Sequence, residues 1–194
     1  MEHPLLSWKT ISSERIADCK VFSVTHIRSR WVSGGQKDVH NFYLLHPCNW
    51  VNVIPVTQDR KVVMVEQFRH GIETVTLEIP GGSVDPEDAS WQAAAARELL
   101  EETGFVSDDW VRVGFNHPNP ALQSNICETY LARNVRQIQQ PRFDESSSER
   151  ISLRLVPLDD IPELIRSGTI SHALVIVAFY LLQLHDDGKE LFAY

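Results

Sequence analysis

Cysteine, long apolar runs and positive charge are all scarce in this sequence, and each scarcity excludes a class of protein. The three cysteines lie far apart and offer neither a disulfide framework nor zinc-ligand spacing, so we expect a reducing, cytoplasmic location. The most apolar stretch, Ile170 to Leu184, is too short to cross a bilayer and contains a serine and a histidine. It predicts a buried helix and no membrane partner.

Negative charge predominates, with a formal net charge of −8. This excludes proteins that bind nucleic acids or anionic membranes through a basic surface. The first residues, Met1 to Pro4, lack the cationic and apolar segments of a signal peptide. An acidic protein of this kind that handles phosphates needs local cations, from a metal or from a few arginines.

The apolar patterning predicts a mixed β-sheet with helices packed on it, an α/β (or α+β) architecture. The predicted strands lie within Arg15–Trp31 and at Val39–Leu45, Val51–Val56, Val62–Val65, Thr74–Ile79, Val111–Phe115, Glu128–Ala132 and Ile151–Val156. The predicted helices are Ala89–Glu102, Leu158–Ser167 and Ser171–Leu184. A turn is expected at Ser33–Gln36.

The end of the first predicted helix concentrates negative charge where a helix tolerates it least. Glu98, Glu101 and Glu102 stand at i, i+3 and i+4 and point to one side. Like charges at this spacing repel by about 0.2–0.5 kcal/mol per pair, and the helix dipole disfavours each anion there by about 0.3–1 kcal/mol. Arg97 offsets one of them at most. A bound divalent cation explains the cluster, whereas a solvated helix face is the simpler alternative.

This helix and the glycine turn before it resemble the Nudix box, G-x5-E-x7-R-E-U-x-E-E-x-G-U, in which U is a bulky apolar residue. Gly82 opens the box, and its second half is matched in order by Arg97, Glu98, Leu99, Glu101, Glu102, Gly104 and Phe105. The first half departs from the pattern, because Arg97 follows Gly82 by fifteen positions instead of fourteen. Asp88, with Glu87 beside it, takes the place of the first box glutamate, which in the family mainly supports the loop and the box arginine.

Segments outside the box resemble the ADP-ribose pyrophosphatase branch of the Nudix family. They are Val65–Arg69, Leu77–Gly82, Leu158–Leu184 and Pro120, which lies sixteen residues past Gly104. The resemblance implies an α/β/α sandwich at residues 47–194. It also implies a small N-terminal antiparallel sheet at residues 1–46, through which this branch forms homodimers.

The resemblance further implies a hydrolase that cleaves the pyrophosphate of a nucleoside diphosphate linked to a second moiety. ADP-ribose or another nucleotide sugar is the expected substrate, giving AMP and a sugar phosphate. Mg²⁺, with Mn²⁺ as an alternative, suits the carboxylates because it prefers oxygen ligands. The expected metal ligands are Glu98, Glu101, Glu102, the backbone at Gly82, and Glu149, with Glu145 as second choice for the loop acid.

The same resemblance assigns roles around the metal ligands. Glu98, Glu101, Glu102 and Glu149 are the expected catalytic residues, with Arg97 as the orienting partner of a box carboxylate. Arg69, Glu78, Gly82 and Pro120 are the expected substrate contacts. For Arg69 and Glu78 a structural salt bridge is the alternative, and Trp8, Trp31 or Trp50 is a candidate for stacking on a nucleobase.

Two other functions remain open from the sequence. One is a Nudix enzyme that acts on dinucleotides or capped nucleotides. The other is a catalytically degenerate module that binds a nucleotide and regulates a partner, which the inserted residue and Asp88 favour. The intact Glu98, Glu101 and Glu102 favour the enzyme, because a pure binder has no reason to keep a destabilising acid cluster.

Overall fold

The computed structural model describes residues 8–32, 38–141 and 150–187, which fall into two compact units. One unit contains Met1–Cys48 together with His117–Ile126. The other contains Asn49–Asn116 and Cys127–Tyr194. The turn expected at Ser33–Gln36 lies outside the described residues.

The first unit is a three-stranded antiparallel sheet in the order β1-β2-β3. Its strands are β1 (Trp8–Cys19), β2 (Phe22–Trp31) and β3 (Val39–Pro47). Strand β1 begins seven residues earlier than the predicted strand region, because its first half is polar and gains its structure from pairing with β2. The segment His117–Ile126 joins this sheet through Leu45, whose N–H donates to the Leu122 carbonyl at 2.7 Å.

The second unit is built on a seven-stranded mixed sheet with the order β12-β5-β4-β10-β9. Its strands are β4 (Trp50–Val56), β5 (Lys61–Arg69), β6 (Thr74–Glu78), β7 (Gly81–Ser83), β9 (Asp109–Asn116), β10 (Cys127–Arg133) and β12 (Ile151–Pro157). Strands β4 and β10 run parallel, whereas β6 pairs with β5 and β7 with β4 in antiparallel fashion. Two short strands, β8 (Phe105–Val106) and β11 (Arg136–Gln137), form a separate pair.

Three α-helices complete the second unit: α1 (Trp91–Thr103), α2 (Ile161–Arg166) and α3 (Ala173–Leu184). Ser90 caps α1 by accepting the Ala93 N–H at 3.1 Å, and Gly104 ends it with φ of 75°. The predicted helix 158–167 is divided, since a 3₁₀ turn at Leu158–Asp160 precedes α2. Pro162 in the first turn of α2 suits a helix start.

Apolar side chains cover both faces of the seven-stranded sheet. One core cluster packs α2 and α3 against strand residues such as Ile54, Met64 and Leu131. The other packs α1, through Ala95 and Leu99, against the opposite face of the same strands. Helices therefore lie on both sides of a mixed sheet, and the predicted α/β sandwich with a small antiparallel sheet is confirmed. Among the described residues no helix is long and apolar enough to span a membrane.

Candidate active site

A polar cavity of about 600 Å³ opens in the second unit where α1, α3 and four strands meet. Its lining includes Trp50 and Asn52 on β4, Gln67 and Arg69 on β5, Glu78 on β6, Gly81, Gly82 and Ser83 on β7, Arg97, Glu98, Glu101 and Glu102 on α1, and His172 and Leu174 at the start of α3. The three box glutamates and the Arg69–Glu78 pair therefore share one cavity.

Strand β7 brings the glycine turn against the acidic end of α1. The Gly81 N–H donates to Oε2 of Glu102 at 3.0 Å, and the Glu102 residue is only 8% exposed. A Cβ on Gly81 would collide with the Val51 carbonyl, and one on Gly82 would overlap the Glu98 carboxylate. Glycine at position 81 thus allows β7 to lie close against β4, and glycine at position 82 leaves room for the Glu98 carboxylate beside the strand.

Arg97 organises this end of the helix. Its Nη1 donates to Glu98 Oε1 at 2.8 Å and to Glu101 Oε2 at 3.2 Å. Its Nη2 donates to the Ser83 carbonyl at 2.9 Å, and Nε and Nη2 bind Asp88 at 3.2 and 3.0 Å. Nε and Nη2 of the guanidinium are therefore bound to the loop, while Nη1 binds two box carboxylates. The hydrogen bond with Asp88 raises the Arg97 pKa, so the group stays charged.

Asp88 supports both the loop and Arg97, as expected of the first acidic residue of the box. Its Oδ2 accepts the Asp85 N–H at 2.9 Å in addition to the two bonds from Arg97. The Arg97 guanidinium lowers the pKa of the Asp88 carboxyl. The shorter side chain has therefore not removed the contact between loop and helix.

Arg69 and Glu78 form a bidentate ion pair in the cavity wall, with Nε–Oε1 and Nη2–Oε2 distances of 2.8 and 2.7 Å. The structural salt bridge is thus present, and both side chains still line the cavity. Burial raises the pKa of Glu78, but hydrogen bonds from Arg69 and Thr76 outweigh it, so the net pKa lies below its usual value.

The lowered Glu78 pKa predicts a specific acid dependence of stability. Because the folded-state pKa lies below the unfolded value of 4.5, the ionised pair stabilises the fold above that pH. The stabilisation disappears as pH falls through the lower, folded-state pKa. Urea unfolding measures the free energy of unfolding at neutral pH and at pH 3, and the loss between the two should be smaller in Glu78→Gln than in wild type. An equal loss in both proteins would contradict this prediction.

No sequence pattern singled out His172, which lies at the start of the stretch predicted as a buried helix. It precedes the first residue of α3, and its Nε2 lies 4.0 Å from Glu78 Oε2 in the cavity. Its Nδ1 is buried and has no hydrogen-bond partner among residues 8–32, 38–141 and 150–187. Of the three candidate stacking tryptophans, Trp50 lines this cavity, whereas Trp8 and Trp31 lie in the first unit and contact each other.

The remaining expected site residues either lie in the first unit or fall outside the described residues. Pro120 lies in the first unit, and its substrate role stays a prediction. Glu149 and Glu145 lie outside the described residues. Within the described part of the chain no group of three or more His, Cys, Asp or Glu side chains is assembled to hold a metal ion. The box carboxylates are instead directed at Arg97 Nη1 and the Gly81 N–H.

Comparison with known proteins is consistent with this geometry. The NUDIX domain family matches residues 48–177. An ADP-ribose pyrophosphatase of Bacillus subtilis is 29% identical over 182 residues, covering 93% of this chain and 95% of the relative. A methanol dehydrogenase activator of Bacillus methanolicus is also 29% identical, over 96% of this chain and 98% of its own.

A solved structure shows the same fold. The crystal structure of an ADP compounds hydrolase superposes with a TM-score of 0.80 at 20% identity, covering 94% of this chain and 96% of that one. Since the NUDIX domain match spans more than half of the sequence and includes the glycine turn, Arg97 and the three glutamates, the chain belongs to the Nudix family of hydrolases.

Proposed function

We propose that this protein is a Mg²⁺-dependent pyrophosphatase that cleaves ADP-ribose or a related nucleotide sugar into AMP and a sugar phosphate. The observation that carries the proposal is the shared cavity, which Glu98, Glu101 and Glu102 line together with the glycine turn and Arg69. The extent of the match to the Bacillus subtilis ADP-ribose pyrophosphatase supports the choice of substrate.

The chemistry of the donor set suits a magnesium ion, although the box carboxylates point at Arg97 and the Gly81 N–H and would have to turn toward the metal. Carboxylate and carbonyl oxygens are the ligands that Mg²⁺ prefers, and the carboxylates of Glu98, Glu101 and Glu102 with the Gly82 carbonyl would supply them. We propose Glu149, which lies outside the described residues, as a further ligand or base. When bound, the metal supplies charge neutralisation on the diphosphate and a lowered pKa for an attacking water.

The chain's own cations have separate tasks in this proposal. Arg97 keeps the carboxylates of Glu98 and Glu101 pointing along the cavity, because Asp88 and the Ser83 carbonyl hold the other half of its fork. Arg69, held by Glu78, is 42% exposed and presents positive charge to a substrate phosphate. The carboxylates that line the cavity outnumber its two arginines, so a bound metal would have to supply the remaining positive charge that a polyanionic substrate requires.

Parallel turnover assays test the substrate. With Mg²⁺ present, ADP-ribose should be hydrolysed with a higher kcat/KM than GDP-mannose or diadenosine polyphosphates. If ADP-ribose is among the poorest substrates, the assignment fails in favour of a dinucleotide or another nucleotide sugar.

A second candidate is a regulatory role toward a partner enzyme, which the name of the Bacillus methanolicus relative favours. A purely regulatory module needs nucleotide binding without hydrolysis. Nucleotide binding by the wild-type protein with no detectable turnover would favour this candidate, whereas turnover that requires Glu102 favours the enzyme.

We also propose that the protein is a homodimer associated through the first unit. None of the buried apolar residues of the described chain belongs to this unit, and Trp8 and Phe42, whose rings contact each other on one face of its sheet, are 43% and 40% exposed. A three-stranded sheet is stable only when its apolar face is covered by another surface. In this proposal the same face of a second copy covers it.

Sedimentation measures this association directly. Wild type should sediment as a species of about twice 22.1 kDa, and Phe42→Glu should shift it toward the monomer. Ile138→Glu, at an exposed position of the second unit, is the control and should remain dimeric. A monomeric wild type at assay concentrations would contradict the proposal.

A further inference from the structure

The two departures from the Nudix box, one extra residue and an aspartate for the first glutamate, lie side by side in the structure. We propose that Asp88 and Ala89 are a matched pair in which the extra residue and the shorter acid compensate for each other. Together they hold Arg97, and through it Glu98 and Glu101, in place. The kinetic part of this proposal rests on the proposed function, but its geometric part does not.

We assign the position of the extra residue from the start of α1. Asp88 follows Gly82 at the distance that the box requires, so the additional position falls between Asp88 and Arg97. Ser90 is the N-cap of α1, and the helix continues without interruption from Trp91 past Arg97. The residue that separates the acid from the cap is therefore Ala89, and it is exposed.

A tight turn fixes the backbone on the other side of Ala89. The Asp88 N–H donates to the Asp85 carbonyl at 3.1 Å, which closes the four residues Asp85 to Asp88 into a turn. Pro86 occupies the second position of this turn, where proline is favoured. The Asp88 carboxylate returns to the Asp85 N–H at 2.9 Å, so one residue closes the turn with both its backbone and its side chain.

The helix side of the contact is equally constrained. The Arg97 side chain leans toward the start of α1, as side chains on helices do, and meets Asp88 through both Nε and Nη2. The same guanidinium is bound to the Ser83 carbonyl and to Glu98. The Asp88 carboxylate is therefore only 8% exposed and lies between two sets of donors that are each fixed by other bonds.

Either change alone disturbs this fit. A glutamate at position 88 adds one carbon–carbon bond of about 1.5 Å, which carries the carboxylate past donors that cannot retreat. Deletion of Ala89 leaves a single Cα–Cα step of about 3.8 Å between Asp88 and the Ser90 cap, which pulls Asp88 out of its turn. The two changes oppose each other. The longer glutamate side chain extends the carboxylate toward Arg97, whereas the shorter backbone moves the Cα of residue 88 away from it.

Asp88 is thus a positioning residue that acts through Arg97. Asp88 and the extra residue made a degenerate module a candidate. In this structure they hold Arg97 in place, as the first glutamate of the usual box does. A chain that had lost catalysis has no need for five hydrogen bonds that converge on Arg97 and the three carboxylates around it.

A double-mutant cycle tests the pairing, with Asp88→Glu, deletion of Ala89, and both changes together. We expect each single variant to lower kcat by about tenfold to a hundredfold with a smaller change in KM, because misplacement of about 1 Å costs that much. The combined variant should recover to within about fivefold of wild type. The control is Glu87→Asp, on the exposed side of the same turn, which should match wild type.

Thermal unfolding without metal gives the readout that does not depend on activity. Each single variant should lower Tm by about 2–4 °C, and the combined variant should recover most of that loss. Losses that simply add in the combined variant, in kcat or in Tm, would overturn the pairing. If deletion of Ala89 prevents folding, full kcat and Tm in Asp88→Glu alone would still overturn it. If the wild-type protein has no pyrophosphatase activity, the proposed function is wrong. The pairing of Asp88 with Ala89 is then tested by the Tm values of the single and combined variants alone.

Discussion

Glu102→Gln should lower kcat for ADP-ribose hydrolysis by about a thousandfold while leaving the fold intact. Glutamine has nearly the same size, and its side-chain oxygen still accepts the Gly81 N–H that Glu102 accepts at 3.0 Å. What the variant loses is a negative charge in a buried position at the end of α1 that we propose to bind the metal. Steady-state kinetics with saturating Mg²⁺ measures the loss, and circular dichroism confirms the fold.

The matched control is Glu66→Gln. Glu66 lies on β5 and accepts a hydrogen bond from Ser152 at 3.0 Å, but it does not line the cavity. Its kcat should stay near the wild-type value. A loss of less than about threefold in Glu102→Gln would remove the metal-site interpretation of the acid cluster.

Arg97→Gln should change how strongly Mg²⁺ stabilises the protein. Without metal, Arg97 is the cation that bridges Glu98 and Glu101, so the variant leaves their repulsion uncompensated and lowers the metal-free Tm. A metal present at a hundred times its Kd stabilises the native state by about 2.7 kcal/mol, or roughly 5–10 °C for a chain of this size. Because the metal relieves a larger repulsion in the variant, its Mg²⁺-induced rise in Tm should exceed that of wild type.

Melting curves in EDTA and in millimolar Mg²⁺ give the comparison. Arg166→Gln removes an exposed arginine that pairs with Glu163 on α2, and its Mg²⁺ response should equal that of wild type. The kcat of Arg97→Gln should also fall, by about a hundredfold, since the carboxylates lose their orientation. If Mg²⁺ raises the Tm of wild type and of Arg97→Gln equally, Arg97 does not neutralise the carboxylates that the metal would bind.

Local signals in the sequence were sufficient for two of the elements that line the cavity, α1 and β6. The 3.6-residue period of the alanine-rich segment and the glycine at position 104 predicted α1 to within two residues at each end. Alternating apolar residues likewise predicted β6, and with it the position of Glu78 next to the glycine turn. These features are set by neighbours in the chain, which is why they can be read without a structure.

Features that depend on distant pairing were beyond the sequence. Strand β7 consists of Gly81–Ser83, has no strand propensity of its own, and exists because it pairs with β4. The parallel pairing of β4 with β10 joins segments more than seventy residues apart. His172 enters the cavity only because α3 packs across that sheet, and no local pattern indicates it. The bidentate bond between Asp88 and Arg97 likewise depends on a turn whose closure the spacing alone did not predict.

The most direct test is digestion of ADP-ribose by the wild-type protein with Mg²⁺ in ¹⁸O-labelled water, followed by mass spectrometry of the products. Hydrolysis of the diphosphate predicts AMP and ribose 5-phosphate in equal amounts, with one ¹⁸O atom in one of the two products. The labelled product identifies which phosphorus the water attacks. An intact substrate, or cleavage that leaves ADP whole, would contradict the assignment of this cavity as a pyrophosphatase site.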